Sequence, residues 1–344
     1  MTFAVTIRQH AESIAVEPGQ TILEAALTQG VPYPHGCRSG NCGACKSVLE
    51  AGEVDLAPYS EYALTDEERA QGLILACRAT PWSDAGVAWL GTDEVVSHPL
   101  RHLTCRVVEL EDLTHDIKRV GLEIVSGAPF DFSAGQYAAL RVARLPARDF
   151  SMANRPDEPM LGFHVRHMTG GAASRYIVRS LRPGETVRLE GPYGSAHLRE
   201  HHTGPMLAIA GGSGLAPIKS IVETALQRGA RQPIHLYFGV RDERDLYLEA
   251  HFEALAAAHP NLRFTPVLSE PQRPTLRRAG FVHEAVAADL GDLDGAKAYM
   301  AGPPVMVEAA TAMLLAAGLP RQDIHADAFY TEADKQALST GTGA

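Results

Sequence analysis

Residues 37–45 read Cys37-Arg-Ser-Gly-Asn-Cys42-Gly-Ala-Cys45, and a further cysteine follows at Cys77. The C-x4-C-x2-C spacing with a distant fourth thiol is that of a loop holding a 2Fe–2S cluster. Each iron takes two thiolates, so four sulfurs have to converge. The chain must bend tightly around the inorganic core, and Gly40 and Gly43 permit backbone angles that a Cβ disfavours. Backbone N–H groups turned toward the sulfurs offset the cluster's negative charge. Arg38 either adds to that or is solvated. Zinc is the competing reading, but zinc favours paired short spacings, and here the fourth cysteine stands alone. Cys105 lies outside the pattern and reads as a buried small hydrophobe.

Five cysteines, three of them within nine residues, do not look like a secreted disulfide framework. They point to metal binding in a reducing compartment, the cytoplasm. The start, MTFAVTIRQH, alternates as a strand does and is no signal peptide. No apolar run reaches 18 residues, so no transmembrane helix is expected. The net charge of −10 argues against nucleic acid and anionic membrane as partners, because phosphates call for Lys and Arg. A basic protein partner remains compatible with it.

The 344 residues exceed one small core and divide by pattern into three domains. Residues 1–93 mix short strands with a helix over 21–29, and Thr65 can cap a turn at 66–69, which suggests a small α+β domain. Residues 98–201 are rich in strands separated by Gly and Pro, the pattern of an antiparallel barrel, with one helix near 172–181. Residues 204–330 alternate apolar strands with helices, the pattern of a parallel-sheet α/β domain. The polar tail 331–344 is expected to fray.

Two further constellations carry chemistry. Gly211-Gly212-Ser-Gly214-Leu-Ala-Pro217 follows an apolar strand and opens a helix, the context for a dinucleotide pyrophosphate at a helix N-terminus. Pro217 is expected at the first helical position. Earlier, Arg148-Asp-Phe150-Ser151 is followed by His164-Val165-Arg166 and by Gly170-Gly171-Ala-Ala-Ser174, which opens a helix and offers its free N–H groups to an anion.

Together these motifs resemble the ferredoxin–NADP reductase superfamily, with a plant-type ferredoxin in front. The order resembles reductase components of bacterial aromatic-ring oxygenases of the naphthalene dioxygenase reductase type. Reductases of haem-thiolate aromatic O-demethylases share the layout. The likeness runs from Phe3 to Tyr330 and includes His98-Pro99, the stretch His202 to Met206 and Ala326-Asp-Ala-Phe329-Tyr330. It implies a β-grasp 2Fe–2S domain, an antiparallel FAD barrel and an α/β NAD domain.

The resemblance also implies residue roles. Arg148 would meet the FAD pyrophosphate, and Phe150, where Tyr is usual, would stack on the flavin without a phenol hydrogen bond. Ser151 would sit near flavin N5. Arg241 and Asp242 fall where the adenosine ribose binds. An acid there accepts from a 2′-hydroxyl and Arg241 would favour a 2′-phosphate, so NADH is favoured over NADPH without the conflict being removed. Gly302-Pro303-Pro304 resembles the C-G-P-P turn beside the nicotinamide, with Ala301 replacing the cysteine. Phe329 matches the terminal aromatic that covers the flavin; a core Phe is the alternative. Tyr247 reads as a possible core residue. His167, His201 and His202 read as solvated surface.

The implied function is an NADH-dependent reductase passing electrons one at a time through FAD and the cluster to a terminal oxygenase or intermediate ferredoxin. Alternatives are the same chain serving another acceptor, such as a sugar-deoxygenation enzyme, or a redox-sensing subunit without turnover.

Overall fold

The computed structural model describes residues 2–90, 96, 98–291, 293–331 and 334. The expected boundary between 93 and 98 and nearly all of the 331–344 tail lie outside them. The chain divides into two compact units, one holding Met1–Leu100, Tyr193–Ser195 and Asp327–Ala344, the other Arg101–Pro192 and Ala196–Ala326.

In the first unit, β1 (Phe3–Ile7) pairs antiparallel with β2 (Ile14–Val16). Their alternation buries Val5, Ile7, Ile14 and Val16 on one face. Helix α1 (Ile22–Thr28) starts where Thr21 Oγ1 accepts the Glu24 N–H while Glu24 accepts from the Thr21 N–H. Strands β3 (Lys46–Ala51) and β4 (Val54–Leu56) follow. Helix α2 (Asp66–Ala70) repeats the reciprocal cap with Thr65 and Glu68. Then come β5 (Leu73–Leu75), β6 (Ala79–Pro81) and β7 (Ala85–Trp89). The main sheet runs β2-β1-β7-β3-β5, with β1 and β7 parallel and β4 paired to β6 apart from it. Ile22, Leu23, Ala25 and Ala26 of α1 join its core, which makes a β-grasp arrangement.

The second unit opens with β8 (Arg101–Asp112), β9 (Ile117–Ser126), β10 (Tyr137–Val142), β11 (Arg148–Ser151), β12 (Leu161–Arg166), α3 (Ala172–Arg179) and β13 (Thr186–Tyr193). They form a six-stranded barrel-like sheet in the order β11-β10-β13-β8-β9-β12. Among these barrel strands only β11 escaped the sequence pattern, because Arg148-Asp-Phe-Ser is short and mostly polar. Cys105 is fully buried in this core and its thiol is pushed up to about 11 by burial.

A parallel α/β layer follows: β14 (Met206–Gly211), α4 (Leu215–Gln227), β15 (Ile234–Val240), α5 (Glu249–Ala258), β16 (Leu262–Leu268), β17 (Arg278–Ala279), α6 (Val282–Asp289), β18 (Lys297–Gly302), α7 (Pro304–Ala316) and β19 (Ile324–Ala328). The order is β17-β16-β15-β14-β18-β19, with β14 parallel to both β15 and β18. Pro217 falls at the third position of α4, not the first, because a 3-10 turn over Gly212–Gly214 leads in. It remains tolerated there, since first-turn N–H groups have no intrahelical partner. Helix α4 is locked to the barrel: Ser220 Oγ donates to Asn154 O at 2.7 Å and Lys219 Nζ to Ala153 O at 3.2 Å. No helix among the described residues is long and apolar enough to cross a membrane.

Candidate functional site

The cysteine loop lies between α1 and β3, and Cys77 follows β5. The four sulfurs converge in the fold. Amide N–H groups of Asn41 and Ser39 reach Cys37 Sγ at 3.3 and 3.5 Å, the Cys37 N–H reaches Cys42 Sγ at 3.3 Å, and the Cys77 N–H reaches Cys45 Sγ at 3.5 Å. The Cys37 thiol is drawn down to about 5, first by a hydrogen bond from Cys42, with the Ser39 and Asn41 N–H groups adding to it. Cys42 and Cys77, donors to their neighbours, are pushed well up by those bonds and by burial. Thiols set to share charge, with amides aimed at them, fit a four-thiolate iron–sulfur group. Gly43 shows why the loop needs glycine: its φ is 72° and a Cβ would stand 3.0 Å from Ala63 O. None of the five cysteines is disulfide-bonded.

Neighbours that sequence reasoning did not find hold this loop. His35 Nδ1 donates to Tyr33 O at 2.7 Å, which leaves Nε2 to accept the Gly194 N–H at 3.1 Å. Ser195 Oγ donates to His35 O, and Tyr330 Oη donates to Asn41 O at 2.9 Å. The Arg38 guanidinium lies 4.0 Å above the Tyr193 ring, a cation–π contact, so it is not simply solvated. Phe329, beside Tyr330, is half-buried, so it is not a core residue.

In the second unit, Arg148, Phe150 and Ser151 lie on β11 beside β10, with Ser151 buried and Phe150 packed against the barrel core. Gly170 and Gly171 precede α3, whose first turn carries no side-chain cap. Amides without side-chain acceptors at a helix start, with Arg148 on the same barrel, fit a pyrophosphate. The Ser174 hydroxyl, by contrast, is taken by its own loop: it accepts the Met168 N–H and donates to Gly171 O. Val165 is fully buried in the barrel core, so only its backbone can meet a cofactor.

Strand alternation sends His164 and Arg166 to the opposite face from Val165, and there they meet the α/β layer. Tyr247 Oη donates to Gly212 O at 3.2 Å, so His164 Nδ1, 3.2 Å away, is the donor to that hydroxyl. Burial drives the His164 pKa down to about 3, and the ring is neutral. Tyr247 is core, as its sequence position allowed, and is also a link between two sequence motifs. Arg166 Nε donates to Asp116 Oδ2 at 2.9 Å, and a Cβ on Gly212 would lie 3.3 Å from Arg166 Nη1.

Arg166, Gly211 and Gly212 line a cavity of about 370 Å³ that also takes in Asp116, Arg241, Asp245, Ser269, Phe281 and Pro303. A cavity at the carboxyl ends of parallel strands, with a glycine turn and guanidiniums, fits a dinucleotide. Gly214 serves packing instead: a Cβ there would run into Ala301 O. Gly302 packs against Gly211, and Ala301 is fully buried at the end of β18. Asp242 is not among the cavity's lining residues. Its carboxylate accepts the Gln272 N–H at 3.0 Å and caps the turn Glu243–Asp245. Glu243 is held by Thr275 and Arg277. The acid that does line the cavity is Asp245, and Asp116 with it. Asp116 carried no motif signal, and Asp245 belongs to the stretch Asp245-Leu-Tyr247 that the sequence shares with the family, without a role assigned to it. His202 is half-buried, with Nε2 3.2 Å from Pro205 O, rather than free surface.

Comparison with known proteins agrees with this geometry. The chain matches the family models for the 2Fe-2S iron-sulfur cluster binding domain over residues 5–81, the oxidoreductase FAD-binding domain over 104–198 and the oxidoreductase NAD-binding domain over 208–312. It is 40% identical to a reductase component of naphthalene 1,2-dioxygenase/salicylate 5-hydroxylase systems from Ralstonia, over 91% of this chain and 94% of that one. It is 41% identical to the reductase component of a phenol 2-monooxygenase from Pseudomonas, over 97% and 96%. Among solved structures, the Amycolatopsis cytochrome P450 reductase GcoB superposes with a TM-score of 0.80 at 40% identity, covering 95% of this chain and 99% of that one. The chain therefore belongs to the family of ferredoxin–NAD(P)+ reductase components of oxygenase systems, built from 2Fe–2S, FAD and NAD domains.

Proposed function

We propose that this chain is an NADH-dependent reductase that delivers electrons singly to an oxygenase acting on an aromatic compound, directly or through an intermediate ferredoxin. One observation carries the reading: Arg166, on a strand of the flavin motif, stands at Gly212 of the nucleotide turn, and both line one cavity. A dinucleotide held there abuts the flavin strand. The chemistry supplied by the bound groups is hydride acceptance at FAD and one-electron release through the 2Fe–2S cluster.

The side chains bind and orient. Arg148 and the first-turn amides of α3, reached past Gly170 and Gly171, bind the FAD pyrophosphate; the N–H of Gly171 itself is taken by Met168 O. Phe150 stacks on the ring system, and Ser151 is placed at its reactive edge. The His164–Tyr247–Gly212 bonds keep the two binding segments in register. Gly211, Gly212 and the start of α4 take the nucleotide pyrophosphate, and Gly302-Pro303 shapes the nicotinamide end. Phe329 keeps the covering role that resemblance gives it. Cys37, Cys42, Cys45 and Cys77 hold the iron. The working domains are 1–93, 98–201 and 204–330, and the unbridged thiols suit the cytoplasm.

The test is an anaerobic titration of the purified holoprotein with NADH. Flavin and cluster absorbance should both bleach, ferricyanide and cytochrome c should be reduced over many turnovers, and an aromatic-ring oxygenase should turn over when supplied. Bleaching without turnover would sink the enzyme reading and leave a redox-sensing subunit.

A further inference from the structure

Asp245 is 8% exposed and follows β15, at the carboxyl end of the parallel sheet. Its Oδ2 accepts the Asp242 N–H at 3.2 Å and faces Arg241 Nε at 3.6 Å. Its Oδ1 is buried without a hydrogen-bond donor, and His115 Nδ1 stands 3.6 Å from it. A buried charged oxygen left so is destabilising, and the remedy is a donor entering from the cavity that Asp245 lines. Geometry says which donor. The pyrophosphate belongs at the glycine turn after β14, so the next sugar along the sheet falls at the ends of β15 and β16, where Asp245, Arg241 and Ser269 stand.

The charges around the cavity point the same way. Two guanidiniums line it, Arg166 and Arg241, and each already faces a carboxylate: Asp116 at 2.9 Å and Asp245 at 3.6 Å. A phosphate monoester, which brings nearly two negative charges, meets an acceptor-only oxygen here rather than an unmatched cation.

We propose that Asp245 is a specificity-determining residue: its Oδ1 accepts a hydrogen bond from the adenosine ribose 2′-hydroxyl of NADH and rejects the 2′-phosphate of NADPH. This rests on the cavity being the nucleotide site, and it moves the selecting acid from Asp242 to a residue three positions on.

Calorimetric titration of the holoprotein with ADP-ribose and with 2′-phospho-ADP-ribose tests it without electron transfer. The wild type should prefer ADP-ribose by about tenfold or more. Asp245→Asn keeps the shape and an acceptor for the Asp242 N–H, and should bring the two within about threefold, mainly by admitting the phosphate. Asp245→Ser should do the same, and circular dichroism melting identifies which variant has folded. An unchanged preference in a folded variant overturns the role of Asp245 alone. Binding that requires added Mn2+ and is lost in Asp245→Asn also overturns it, by giving Oδ1 with His115 and Asp116 to a cation. A wild type that binds neither probe overturns the cavity reading beneath it.

Discussion

The cysteine loop and the nucleotide cavity are built on opposite plans. Three of the four sulfurs sit within nine residues, and the amides that reach Cys37 and Cys42 belong to the same loop. The cavity is assembled from β9, β12, β14, β15, β16, α6 and α7, whose lining residues lie up to nearly two hundred positions apart in the chain. The first is a local structure whose ligands are also its spelling. The second is a place where elements meet, and each side chain's duty depends on what packs behind it. That is why Gly214 and Asp242, both read as nucleotide-site residues, turned out to serve packing and capping, while Asp116 and Asp245, to which the sequence assigned no role, face the cavity.

The contrast can be broken by substitution. Removing one thiolate has the largest effect. Cys77→Ser should abolish the cluster's absorbance and lower cytochrome c reduction by about a hundredfold or more, while ferricyanide reduction by NADH, which bypasses the cluster, persists. If both acceptors fail equally, the two regions are not independent.

Next comes Gly214→Val, which forces a side chain into Ala301 O. Overpacking of this kind costs about 1–3 kcal/mol. It should lower the melting temperature and weaken NADH binding together, with the cluster spectrum intact.

Tyr247→Phe leaves His164 Nδ1 without its acceptor and should cost about 1–3 kcal/mol of stability. The same histidine predicts a pH dependence. Unfolded, its imidazole takes a proton below about pH 6.5; folded, it resists until about 3. The unfolded state therefore binds more protons in that window, and stability falls as pH falls through it, by up to about 1.4 kcal/mol per pH unit from this group. Denaturant melts between pH 7 and 5 should show that slope, and His164→Gln should flatten it. An equal slope in the variant would assign the effect elsewhere, His235 being the next candidate because burial also lowers it, to about 4.

The smallest change is expected at Tyr330→Phe, which removes the hydroxyl's bond to Asn41 O. A loss of about 0.5–1.5 kcal/mol is in proportion. It should appear as faster loss of iron to a chelator, with NADH reduction of ferricyanide unaltered.

Much was legible beforehand. The helix over 21–29 and the turn capped by Thr65 were readable from composition and spacing within one turn, and the structure adds the reciprocal bonds with Glu24 and Glu68. The barrel and the α/β layer declared themselves by strand alternation and by helices between apolar strands. Strand β11 did not, being four residues with one apolar side chain, and it takes its form from pairing with β10.

By itself, then, the sequence determined what depends on neighbours along the chain: the four-thiolate loop, the capped helices, the glycine turns, and the succession of three domain types. Only the tertiary structure decided what depends on neighbours across it: Arg166 at Gly212, His164 bound to Tyr247, and Asp245 left with a buried, unanswered oxygen in the cavity. A hydrogen bond is made over about 3 Å of space, whatever the separation along the chain. Spacing can specify a bond when a single turn supplies both partners, and packing has to supply it when they come from different elements.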